Sequence, residues 1–140
     1  MDSGSLWIQI LVLIGLIIIS AFFSASETAV MSVSKVRIRH LKENGVKGAS
    51  VLEKLIDQPK KLLSSILVGN NVVNIAATSI STSLFMSIFG NQGIAMATLV
   101  MTVLVLVFGE VTPKTLAANN KERISLAFAK ILRVVIIVLA

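Results

Sequence analysis

There is no cysteine and no tyrosine in these 140 residues, and only one histidine and two prolines. Without cysteine, disulfides and thiolate metal sites are excluded, and one histidine cannot build an imidazole cluster. Any metal must then be held by oxygen, which disfavours zinc and copper. His40 itself reads as a solvated or lipid-facing side chain. Charged residues make up 14% of the chain and aromatics 5%, so the net charge of +6 does not read as a nucleic-acid surface. Neither a Walker A loop nor a nucleophile beside a base can be found, and the chain is read as a non-enzyme. What is abundant is apolar: 55% of residues are hydrophobic and the mean hydropathy is +0.90. That composition predicts an all-α integral membrane protein, multi-pass in the cell membrane.

Three spans are expected, over residues 6–30, 62–89 and 94–118. The first competes with a secretory signal peptide, but Met1 to Ser5 carries no basic residue and the apolar run exceeds a typical signal core. Between the first two spans the composition changes. Residues 35–61 hold eight of the thirteen basic residues, interleaved with Val36, Ile38, Leu41, Leu52 and Leu55. This pattern predicts amphipathic juxtamembrane helices over residues 35–58, broken at Asn44-Gly45 and ended by Gln58-Pro59. Gly90 to Gly93 forms an uncharged turn, and residues 124–140 form a further interfacial helix or a fourth span. All Lys and Arg lie between Lys35 and Lys61 or from Lys114 onward. The positive-inside rule therefore puts the N-terminus outside and the juxtamembrane helices in the cytoplasm against anionic membrane lipids.

Glu110 closes the charge-free run from Gly93 to Gly109. A carboxylate at that depth is costly unless a cation, a proton or a partner meets it. Pro113 has no amide hydrogen, so the Gly109 carbonyl four residues earlier loses its helical donor beside that carboxylate. At 1.5 Å rise per residue, Ser20 lies roughly 21 Å and Glu110 roughly 24 Å below the outer ends of their spans. Asn70 lies about 18 Å below the outer face of a ~30 Å core. Ser20 and Ser24 are i, i+4 on one helix; Asn70, Asn74 and Thr78 form a matching stripe on the next. Each has an ordinary alternative: serines bonding back to their own helix, asparagines as interhelical glue, Glu110 paired with Lys114, and Ala76 to Ser83 as a packing face. Their common depth favours a site. Oxygen ligands with one full charge suit a hard cation, Mg2+, Ca2+ or Na+, and a single acid with room for water suits Mg2+.

The segments Ser20-Ala21-Phe22-Phe23-Ser24-Ala25-Ser26-Glu27-Thr28-Ala29, Leu67-Val68-Gly69-Asn70-Asn71-Val72-Val73-Asn74 and Phe108-Gly109-Glu110-Val111-Thr112-Pro113-Lys114 resemble those of the CNNM/CorC family of magnesium transporters. The likeness is to the family's transmembrane (DUF21) domain, and it covers nearly the whole chain. It implies three transmembrane helices, a homodimer in the membrane, and transport of Mg2+, with Na+ as the exchanged ion in some members. It also implies a metal site at Ser20, Ser24, Asn70, Asn74, Gly109 and Glu110. Family members continue into cytoplasmic CBS domains, which are expected in the full-length protein, since this sequence ends at Ala140. The function expected is Mg2+ export coupled to inward Na+. The alternative is a Mg2+-sensing or membrane-anchoring module that does not transport.

Overall fold

The computed structural model describes residues 3–139, and these are helical nearly throughout, with no strand among them. Helix α1, Ser3–Ser32, is 30 residues long, about 45 Å at 1.5 Å per residue. Two short helices follow, α2 (Lys35–Glu43) and α3 (Ala49–Ile56). The Ser34 hydroxyl caps α2 by accepting the Arg37 amide, satisfying one of the donors a helix start leaves free. The break between α2 and α3 falls at Asn44 to Gly48, as the Asn44-Gly45 pair predicts. Pro59 sits in the first turn of α4, Pro59–Phe89, where its missing amide hydrogen costs nothing.

A single 3-10 turn, Gly90–Gln92, leads into α5, Gly93–Leu104. The third span expected over residues 94–118 is not one regular helix. Val105–Val111 is π-helical, and α6, Thr112–Asn119, continues from it. The physical reason lies at Pro113: a proline removes a donor from the turn before it, and a π turn absorbs that loss by pairing residues five apart. The Thr112 amide accordingly donates to the Val107 carbonyl. Helix α7, Lys121–Leu139, ends the described chain.

Two stretches, Gly4–Ser32 and Pro59–Asn119, are long and apolar enough to cross a membrane. In each, only 17% of the most apolar segment is buried inside the protein, so these are not the core helices of a water-soluble fold. The second stretch doubles back at the 3-10 turn, and α5 packs along α4. Leu84 of α4 and Met101 of α5 share an apolar cluster with Leu13 of α1.

At the other end, α3 and α7 pack on the first turns of α4, and α2 packs on α3. Ile38, Leu41, Leu52, Leu55, Leu62, Ile66, Leu132 and Ile136 form one buried cluster there. Three ion pairs, solvent-exposed except at the half-buried Glu53, brace this layer: Lys35–Asp57 at 3.2 Å, Arg37–Glu122 at 3.2 Å and Lys42–Glu53 at 3.6 Å. Such pairs contribute at most about 1 kcal/mol each, so the leucine and isoleucine cluster holds the layer.

Candidate metal centre

The buried seam between α1 and α4 brings several of the candidate residues together. Close approach is possible because Gly69 has no side chain: a Cβ there would lie 2.6 Å from the tip of the Phe23 ring. With Phe23 seated on Gly69, Ser20 one turn earlier on α1 faces Asn70 and Asn74. Ser20 is 1% exposed, and its Oγ donates to Asn74 Oδ1 at 2.9 Å and to Asn70 Oδ1 at 3.1 Å. One hydroxyl carries one proton and serves one acceptor at a time. Three oxygens thus converge where a single proton is available, an arrangement that welcomes a positive charge.

Gly109, in the π-helical turn, closes the other side. A Cβ on it would lie 3.3 Å from Ser20 Oγ, so the backbone of that turn rests directly against the serine. Ser20, Asn70, Asn74 and Gly109 are therefore brought together from three separate segments. Ser24, one turn along α1 on the face of Ser20, is 1% exposed, and its Oγ has no hydrogen-bond partner among the described residues. Neither serine bonds back to its own helix, the ordinary fate of a hydroxyl there. A buried hydroxyl without a partner costs roughly 1–3 kcal/mol, a cost that a ligand arriving beside it would relieve.

Glu110 follows Gly109 in the π turn and is half-buried. Among the described residues no ion pair or hydrogen bond engages it; Lys114, one turn on, is exposed and forms none with it. The described residues contain no cluster of three or more His, Asp or Glu side chains. Glu110 is thus a carboxylate without a partner among the described residues, next in sequence to the Gly109 that rests against Ser20.

Two sequence expectations need correction. Thr78 does not extend the asparagine stripe, because it is exposed and its hydroxyl donates to the Asn74 carbonyl at 2.9 Å. The small-residue stripe from Ala76 to Ser83 is not one face either. Ala77 and Ser81 are buried within the protein, whereas Ser79 and Ser83 point outward. Sequence reasoning also missed Ser26, fully buried with an unpartnered Oγ. No period marks it, since it lies six residues from Ser20 and off that face.

A family model described as the cyclin M transmembrane N-terminal domain (CNNM) matches residues 11–140. A UPF0053 protein of Haemophilus influenzae is 46% identical over 132 residues, covering 94% of this chain and 31% of the relative. The UPF0053 inner membrane protein YfjD of Escherichia coli is 46% identical over 107 residues, 76% of this chain and 25% of the relative. A chloroplastic DUF21 domain-containing protein of Arabidopsis thaliana is 38% identical over 117 residues, 84% of this chain and 18% of the relative. The chain thus spans a third or less of the length of these relatives. With a family model covering all but its first ten residues, and apolar helices to match, this chain is a membrane protein and belongs to the cyclin M (CNNM, DUF21) transmembrane-domain family.

Proposed function

We propose that this domain carries Mg2+ across the membrane through the seam between α1, α4 and the π-helical turn. The observation that carries the reading is the Ser20 hydroxyl set against both Asn70 Oδ1 and Asn74 Oδ1, with the Gly109 backbone pressed on it. Neutral oxygens from Ser20, Ser24, Asn70, Asn74 and the Gly109 carbonyl, with the Glu110 carboxylate, match the preference of Mg2+ for few charges and retained water. A site with one net negative charge holds such an ion loosely enough to release it.

The proposed topology has three crossings, α1, α4, and α5 with the π turn and α6. The positive-inside rule puts the N-terminus outside and α2, α3 and α7 on the cytoplasmic side. The domain would work as a homodimer, two copies meeting along the outward face of α4, where Ser79 and Ser83 allow close backbone approach. The CBS modules implied by the family resemblance would lie in the remaining length of the whole protein.

Export is the proposed direction, exchanged for inward Na+. At about −100 mV inside, moving a divalent cation out costs about 4.6 kcal/mol, at ~2.3 kcal/mol per charge, so export needs a coupled ion. The test is Mg2+ flux in sealed vesicles holding the reconstituted protein, with and without an imposed Na+ gradient. Gradient-driven Mg2+ movement is the expected result. Binding of Mg2+ without flux would reject transport and leave a sensing or anchoring module.

A further inference from the structure

Apart from the proposed ion path, the geometry points to a seat for the phosphate of one anionic phospholipid between α3 and α7, held by Lys54 and Arg133. A cavity of about 180 Å3 opens there, lined by Val51, Lys54, Leu55, Gln58, Arg133 and Ile136. Its walls divide by chemistry. Val51, Leu55 and Ile136 are apolar, and the latter two belong to the buried cluster that joins the short helices to α4 and α7. Lys54 and Arg133 supply two cations.

Those two cations are unspent. The neighbouring acids turn toward α2: Glu53 of α3 pairs with Lys42, and Asp57, just past the end of α3, with Lys35. Glu122, the acid of α7, pairs with Arg37. Among the described residues Lys54 and Arg133 have no carboxylate partner, although they face one cavity from two helices. Two uncompensated cations at one partly enclosed pocket call for an anion.

The depth of the pocket selects the anion. Gln58 is the residue before the first turn of α4, and Lys60 and Lys61 follow it immediately before the uncharged run that begins at Leu62. The cavity therefore lies where a membrane-crossing helix leaves the apolar core, the level of lipid headgroups. The positive end of the α4 dipole adjoins it, a further attraction for a phosphate. An apolar wall beside two cations fits an amphiphile, a headgroup with the start of its chains, better than a free anion in water. Bound there, a phosphodiester bridges α3 to α7 and ties the juxtamembrane layer to the bilayer plane.

The experiment is native mass spectrometry of the full chain in detergent micelles, titrated separately with short-chain phosphatidylglycerol, short-chain phosphatidylcholine and inorganic phosphate. One phosphatidylglycerol adduct should be retained in preference to phosphatidylcholine. Lys54→Gln and Arg133→Gln should each weaken that retention about fivefold, the worth of one cation near an anionic surface. Arg133→Lys should keep most of it, and helical content measured on the same samples confirms folding. Lys121→Gln, an exposed cation outside the pocket, should change nothing. Equal losses from Lys121→Gln and Lys54→Gln would show diffuse surface charge and overturn the proposal. So would retention in the Lys54→Gln/Arg133→Gln double variant, or inorganic phosphate binding as tightly as the lipid.

Discussion

The two halves of α4 carry similar numbers of polar side chains and use them differently. In one half, Asn70 and Asn74 reach across the seam to Ser20 of α1. In the other, three hydroxyls turn home: Thr78 donates to the Asn74 carbonyl, Thr82 to Thr78 and Ser87 to Ser83, each at 2.9–3.0 Å. The difference follows from chemistry. A hydroxyl on a helix can satisfy itself on the carbonyl four residues back, whereas an asparagine amide reaches outward for a partner. A polar helix face is therefore not by itself a ligand set. Only oxygens that their own helix does not occupy are available to an ion; Ser20, Ser24, Asn70 and Asn74 supply such oxygens where α1 meets α4, while Ser81 in the other half is buried with its Oγ unpartnered.

The largest effect on this contrast is expected from Ser24→Leu. The serine is 1% exposed, so the added bulk overpacks the seam at about 1–3 kcal/mol and stops Mg2+ flux in vesicles. Transport that survives in a folded Ser24→Leu variant would mean the ion travels elsewhere. Asn74→Asp adds a second charge beside Ser20. Mg2+ affinity should rise on the order of a hundredfold while flux slows, and calorimetry beside flux on the same protein reads both. Ser20→Ala removes the proton shared by the two asparagines. It should cost about 1 kcal/mol of stability and weaken Mg2+ binding roughly tenfold, the equivalent of about 1.4 kcal/mol. Thr82→Val sharpens the comparison from the quiet side. Its hydroxyl serves only its own helix, so stability should move by less than about 0.5 kcal/mol and flux not at all. A large flux defect there would erase the distinction between the two halves.

Much of the fold could be read from the chain because its signals are local. Uncharged runs mark the long helices, Asn44-Gly45 marks the break between α2 and α3, and Pro59 marks the start of α4. The meeting of Ser20 with Asn70 and Asn74 followed from counting rise per residue in helices confined to one slab. The π-helical turn did not follow. Pro113 signals a lost donor, but whether the chain answers by kinking or by widening depends on neighbours, here the contact of Gly109 with Ser20. The split of the Ala76 to Ser83 stripe was also hidden. Small residues do not say which of two helices they face: Ala77 is settled by packing with Leu13 of α1 and Met101 of α5, and Ser81, one turn on, is buried as well. Likewise the i, i+4 spacing of Glu110 and Lys114 suggests an ion pair that is not formed among the described residues.

Glu110 is the one full charge in the proposed Mg2+ site, so the site stands or falls with its substitution. Calorimetric titration of Mg2+ into the detergent-solubilised protein should show saturable binding. Glu110→Gln, with unchanged helical content, should show none, because neutral oxygens alone do not hold a strongly hydrated divalent ion. Wild-type affinity in a folded Glu110→Gln variant would rule out Glu110 as the charge that holds Mg2+ and leave the oxygens around Ser20 as interhelical glue.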